Sequence, residues 1–262
     1  MARYGDAGKV AAECDVTVAV LGINKSIERE GQDRFTLELP IDQQEFIKEL
    51  YKVNPNTVVV LVAGSSLAVN WMDENVPAIL NAWYPGEQGG NAVAEVLFGD
   101  YNPGGRLPLT YYNSLDEIPA FDNYSVKGRT YQYFEGQPLY EFGYGLSYTK
   151  FRYKSKGVNV EQDTVKVSFE VSNTGKYDGD EVAQVYVKYP ETVTYMPFKQ
   201  LHGFKRVHIK KGKTSKVTIG VPRKDLRYWD EQERKFVTPK GEYTFMVGAS
   251  SEDIKFRETV GL

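Results

Sequence analysis

The chain has 262 residues, a formal net charge of −3, 41% hydrophobic residues and 26% charged ones. That balance is globular rather than disordered, and the length suits two domains better than one. No region concentrates Lys and Arg, which excludes nucleic acid as the expected partner. No apolar run approaches the ~18 residues of a transmembrane helix, so no membrane partner is expected. No secretory signal follows Met1, and the compartment is left open. A single cysteine, Cys14, excludes an internal disulfide, and its place before an apolar run predicts a buried thiol. His202 and His208 are the only histidines and no Cys/His cluster accompanies them, so no zinc or other metal site is expected. No motif asks for an organic cofactor.

In chain order, "DVTVAVLG" (15–22) is a short β-branched run ending in Gly, the pattern of a buried parallel strand. "PIDQQEFIKELYKV" (40–53) places Phe46, Ile47, Leu50 and Tyr51 on one helical face, with Pro40 at the first turn. "NTVVVLVAG" (56–64) is a second buried strand, and "VPAILNAWYPG" (76–86) holds a shorter third. "EQGGNAVAEVLFG" (87–99) reads as a helix: Val93, Val96 and Leu97 share a face, and Gly99 stops it. Strands alternating with helices predict a parallel sheet with flanking helices. Ligands of such sheets bind at the carboxyl ends of strands. Residues 100–150 are dense in Gly, Pro and Tyr without periodicity, which predicts an ordered, packed loop segment. Beyond about 153 the pattern is all-β. In "TVKVSFEVSN" (164–173), Val165, Val167, Phe169 and Val171 point one way; "DEVAQVYVKYP" (180–190) alternates likewise. About seven short strands predict a sandwich, and the absence of a Cys…Trp…Cys pattern favours the fibronectin type III variety.

"SIEREGQDRF" (26–35) follows the carboxyl end of the first strand and carries Glu28, Glu30, Asp33 and Arg34. Two carboxylates two apart supply a like-charge neighbour, which a proton-transferring acid can use. The glycine lets the chain turn, and Asp33 with Arg34 can position the loop by charge-assisted bonds. The plain alternative is a solvated charged loop. "AGSSLAVNW" (63–71) is not a G-x-S-x-G elbow, and no histidine lies in the first half to act as base. Ser65 and Ser66 are therefore read as helix caps. Trp83 and Tyr84 suit either a sugar site or core packing.

"EGQDRFTLELPIDQQEFI", "NAWYPGEQGGNAVAEVLFGDYNPGGRLPLTY", "PLYEFGYGLSYTKF", "EVAQVYVKYP", "PFKQLHGFKRV" and "YTFMVGASSEDIK" occur in this order. Together they resemble the C-terminal half of glycoside hydrolase family 3, the exo-acting β-glucosidases and β-xylosidases. The segment 124–148 looks more like the β-xylosidase or α-arabinofuranosidase branch. The resemblance implies a partial α/β sandwich over 1–112, an ordered linker over 113–152 and a fibronectin type III-like domain over 153–262. It implies a retaining hydrolase of terminal, non-reducing β-linked sugars in oligosaccharides. In that enzyme a β/α barrel supplies an aspartate nucleophile and the α/β sandwich supplies the acid/base glutamate. By the "EG…DR" string that glutamate maps to Glu30, with Glu28 as the alternative. The barrel and its nucleophile motif do not occur in these 262 residues, and the first strands of the α/β sandwich are missing. The expected partner is thus an N-terminal β/α barrel, in cis or on a separate chain, without which the chain is expected to be inactive. A non-catalytic carbohydrate-binding or interaction module is the competing reading.

Overall fold

Three apolar runs of the first half pair in parallel. β1 (Thr17–Gly22), β2 (Thr57–Val62) and β3 (Ala78–Asn81) form one sheet in the order β1-β2-β3, with Val20 beside Val60 and Val60 beside Leu80. The structure is a computed structural model that describes residues 5–191 and 196–262. Helix α1 (Gly5–Glu13) precedes β1, α2 (Ile41–Val53) links β1 to β2, α3 (Asn70–Asn75) links β2 to β3, and α4 (Gly89–Phe98) follows β3. Pro40 stands at the N-cap of α2, whose Ile47 and Leu50 are buried, while Phe46 and Tyr51 are half-buried. Gly99 ends α4 with φ +83°.

β2 fits the expectation of a buried strand, with Val59, Val60 and Leu61 almost without exposure. β1 does not. It is an edge strand whose Ala19 and Leu21 are buried while Val18 and Val20 are 46% and 65% exposed. A run of β-branched residues reports strand propensity, not how many faces are covered. Cys14 is likewise exposed, not buried, because it lies in the turn between α1 and β1. The buried amide of Asn54 organises this end of the sheet. Its Nδ2 donates to the carbonyls of Ala11 (3.0 Å) and Cys14 (2.8 Å), and its Oδ1 accepts from the Asn56 N–H (3.0 Å).

The chain packs as two units whose limits differ from the sequence boundaries at 112 and 153. The first unit takes the chain up to Phe98 together with Tyr111–Phe121 and Gly136–Leu139. The second takes Gly99–Thr110, Asp122–Glu135 and Tyr140–Leu262. In the second, a one-turn helix α5 (Thr130–Tyr133) precedes β4 (Phe151–Val160), β5 (Thr164–Asn173), β6 (Gly179–Lys188), β7 (Gln200–Ile209), β8 (Thr214–Pro222), the small hairpin β9 (Tyr228–Asp230) and β10 (Lys235–Val237), then β11 (Glu242–Gly248) and β12 (Ile254–Gly261). A four-stranded sheet β12-β11-β6-β7 and a three-stranded sheet β4-β5-β8 make the fibronectin type III-like sandwich. Val165, Val167, Phe169 and Val171 all point into its core with Val185, Val187, Tyr243 and Phe245.

The Gly/Pro/Tyr-rich segment explains an irregularity in β6. Gln184 and Tyr186 face away from that core yet are buried. Tyr131 packs edge-on to Tyr186 and stacks on Phe142, and Gln184 Nε2 donates to the Gly143 carbonyl at 3.1 Å. Gly143 has φ +83°, and a Cβ there would stand 2.2 Å from Gln184 Oε1, so only glycine fits. Arg106 pairs with Glu181 at 2.8 Å with both side chains nearly without exposure, fixing the "NPGGRLP" stretch to the start of β6.

Candidate functional site

Three loops leave the carboxyl ends of β1, β2 and β3, where a parallel sheet places its ligands. The β1 loop starts from a clamped end: Gln43 on α2 donates to the Gly22 carbonyl (2.7 Å) and accepts from its N–H (2.8 Å). The β3 loop crosses back through Tyr84, whose hydroxyl donates to the Ile23 carbonyl at 3.2 Å and whose ring fills the space above Gly64. Trp83 beside it has φ +55°, an uncommon conformation for an aromatic residue, and such strain gathers at functional sites.

Within the β1 loop, Asn24 closes the first turn by accepting from Ser26 and, through its carbonyl, from the N–H groups of Ile27 and Glu28. The backbones of Arg29 and Gln32 then exchange both hydrogen bonds, at 3.1 and 2.9 Å. Glu30 and Gly31 are thus the two central residues of a tight turn, and Gly31 supplies φ +75° at its second position. Glu30 sits exposed at the tip.

Glu28, two residues earlier, lies in a different environment. Its Oε2 is paired with Arg34 Nε at 2.6 Å, with 26% exposure on the Glu28 side chain and 9% on Arg34. The same oxygen accepts from Ser65 Oγ at 2.6 Å. Arg34 Nη2 in turn donates to Ser65 Oγ (2.9 Å) and the Ser66 carbonyl (2.8 Å). Ser65 and Ser66 therefore do not cap a helix. α3 begins at Asn70 with Val69 at its N-cap, and the serines bind the β1 loop to the end of β2 instead. Asp33 is exposed and has no hydrogen bond or ion pair among the described residues.

The sequence pattern singled out Glu28, Glu30, Asp33 and Arg34; it missed Gln43, named Tyr84 only as a sugar-site or core aromatic, and read Ser65 as a helix cap. Gln43 and Tyr84 work on backbone atoms of a distant strand end, which leaves no spacing signal. Ser65 was seen but assigned to the wrong partner, because its contact with Glu28 spans 37 residues. Among the described residues no group of three His, Cys, Asp or Glu side chains is placed to hold a metal ion.

Residues 2–148 match the glycosyl hydrolase family 3 C-terminal domain, more than half of the chain. The chain belongs to glycosyl hydrolase family 3. Residues 181–251 match the fibronectin type III-like domain. The chain is 41% identical over 225 residues to a xylan 1,4-beta-xylosidase of Xylanibacter ruminicola, covering 85% of this chain and 26% of that protein. It is 37% identical over 268 residues to a beta-xylosidase of Formosa agariphila, covering 96% of this chain and 36% of that one. The crystal structure of a beta-glucosidase from Kluyveromyces marxianus superposes with a TM-score of 0.91 at 36% identity, over 98% of this chain and 32% of its own. This family 3 chain thus spans about a third or less of two of these relatives, and its two domains are those of their C-terminal part.

Proposed function

We propose that this chain is the C-terminal part of a retaining exo-β-glycosidase and that Glu30 is its general acid/base. The substrate class is an oligosaccharide with a terminal, non-reducing β-linked xylose or glucose, as the names of its relatives suggest. The observation that carries the reading is the contrast between the two glutamates. Glu30 stands at an exposed turn tip beyond the carboxyl end of β1, where a proton can be handed to a substrate. The Oε2 of Glu28 is engaged by both Arg34 and Ser65. Glu28 is therefore assigned to holding the loop, and it is the alternative acid/base only if that clamp opens.

The chemistry is a double displacement. An aspartate of a β/α barrel, in cis or on a separate chain, attacks the anomeric carbon while Glu30 protonates the departing oxygen. Water then attacks the glycosyl-enzyme, and Glu30, now a carboxylate, takes its proton. Retention places the two carboxyl groups ~5–5.5 Å apart. Arg34 and Ser65 are positioning residues in this scheme, since the loop must hold Glu30 near the glycosidic oxygen; Asp33, expected to share that role, is exposed and makes no ion pair or hydrogen bond among the described residues.

The experiment is release of nitrophenol from nitrophenyl β-xyloside and β-glucoside. The 262-residue chain by itself is expected to give no turnover above buffer. The chain joined to a family 3 barrel is expected to turn over, and Glu30→Gln to lower its kcat by about 10²–10⁴, because hydrolysis of the glycosyl-enzyme loses its general base even where the nitrophenol departs readily. Glu30-dependent turnover by the chain alone would contradict the division of labour.

A further inference from the structure

A concave feature lies in the first unit, between α2 and the start of α3. It has a volume of about 220 Å³. That is below the ~300–1,000 Å³ of sites for drug-sized ligands, and it suits a single small ring. Its floor is core: Leu39, Ile47 and Met72 are almost fully buried. Its rim is polar and only loosely engaged. Lys48 Nζ stands 5.6 Å from the centre of the Trp71 ring and has no ion pair among the described residues. Glu38 has no ion pair there either, and accepts only a long 3.4 Å bond from Gln44 Nε2. Gln44 spends its amide nitrogen on the Leu39 carbonyl at 2.7 Å, which turns its oxygen loose as an acceptor. Trp71 is held edge-on by Tyr51 at 5.6 Å and remains partly exposed.

We propose that this cleft binds one neutral pyranose ring, at a site separate from the Glu30 turn. An ammonium, a carboxylate and an amide oxygen around one cleft offer both donors and acceptors, which is what a polyol needs. Glu38 and Lys48 leave the rim without net charge, so neither an anionic nor a cationic ring gains an electrostatic advantage over a neutral one. The indole, with Lys48 Nζ over its ring, supplies an apolar wall beside the C–H groups of the sugar. One cleft wall is tied to the catalytic loop, because the Ala68 N–H donates to the Leu37 carbonyl at 2.9 Å. The site does not depend on the acid/base assignment.

The test uses the 262-residue chain labelled with 5-fluorotryptophan. Its three tryptophans, Trp71, Trp83 and Trp229, give three fluorine resonances assigned by Trp→Phe variants. Methyl β-D-xylopyranoside and methyl β-D-glucopyranoside are titrated, with sodium glucuronate and glucosamine hydrochloride as charged comparisons. The expected result is a saturable shift of the Trp71 resonance with a Kd on the order of 1 mM for the neutral glycosides. Lys48→Met and Glu38→Gln each weaken it about tenfold, while the Trp83 and Trp229 resonances stay in place and report an intact fold. Glu30→Gln leaves this response unchanged. The inference is overturned if neither glycoside moves the Trp71 resonance, if the rim variants bind like the parent, or if glucuronate or glucosamine binds more tightly than both glycosides. Loss of the Trp71 response in Glu30→Gln also overturns it, because the ring then sits at the catalytic turn.

Discussion

The two units solve the same problem, covering β-branched strands, to different degrees. In the sandwich, the inner faces of β5, β6, β8 and β11 meet in one buried cluster, and even the outer face of β6 is covered by the Tyr131–Gly143 segment. In the three-stranded sheet only β2 is buried on both faces, and β1, an edge strand among the described residues, leaves Val18 and Val20 in solvent. The difference teaches where this chain holds its core and where it holds its candidate catalytic group. The well-packed unit carries no candidate catalytic group. The candidate acid/base stands on a loop of the thinly covered unit, held by a handful of hydrogen bonds. Loops that must admit a ligand are drawn from the less stable parts of a fold.

The comparison breaks most readily in the sandwich. Phe169→Ala removes a fully buried ring, and its expected cost is about 3–5 kcal/mol, read by urea unfolding of the second unit. Glu181→Ala strands the Arg106 guanidinium inside the same unit and is expected to cost a comparable ~3–5 kcal/mol. Replacing both, as Arg106→Met with Glu181→Leu, recovers most of that loss, because no buried charge is left unpaired.

His202 gives the sandwich a pH dependence. Its Nε2 lies 3.0 Å from the Tyr189 hydroxyl, and burial lowers its pKa from 6.5 to about 4. The folded state therefore holds the neutral ring over a range where the unfolded chain is protonated. The stability from this group is fully present above pH 6.5 and is lost as pH falls toward 4, on the order of 3 kcal/mol in all. Melting temperature followed between those values should fall for the parent, and His202→Phe should flatten that fall.

Smaller effects belong to the first unit. Ser65→Ala removes one hydroxyl between Glu28 and Arg34, with an expected cost of about 1 kcal/mol. Its clearer readout is faster amide exchange over residues 23–40 with no change in the sandwich. Val20→Thr alters an exposed edge position and is expected to move stability by less than about 0.5 kcal/mol. A large loss there would mean that the exposed face of β1 is packed in solution.

Much of this contrast could be read from the sequence, for definite reasons. Strict alternation over Val165–Val171 names one sheet face and so fixed the sandwich core. The helix period over Phe46–Tyr51 likewise found α2. Periodicity could not tell that β1 is an edge strand, since Val18 and Val20 look the same buried or bare. Nor could it show Gln184 and Tyr186 buried on an outer face, because their cover comes from an aperiodic segment some 40 to 55 residues away. At the site, the charges of "EREGQDR" were visible, but their division of labour was not. Arg34 pairs with Glu28 rather than its neighbour Asp33, and only the folded loop, with Ser65 brought against it, separates the anchored glutamate from the exposed one.

That separation is the central claim, and leaving-group dependence tests it most directly. In the chain joined to a family 3 barrel, a general acid matters most when the departing alcohol is a poor leaving group. Glu30→Gln is therefore predicted to cut kcat/KM for an alkyl β-xyloside by about 10²–10⁴ while hardly slowing glycosyl-enzyme formation from dinitrophenyl β-xyloside. Glu28→Gln is predicted to affect both substrates alike, as expected for a loosened loop. The opposite pattern, with Glu28→Gln selective for the poor leaving group and Glu30→Gln not, would contradict the account.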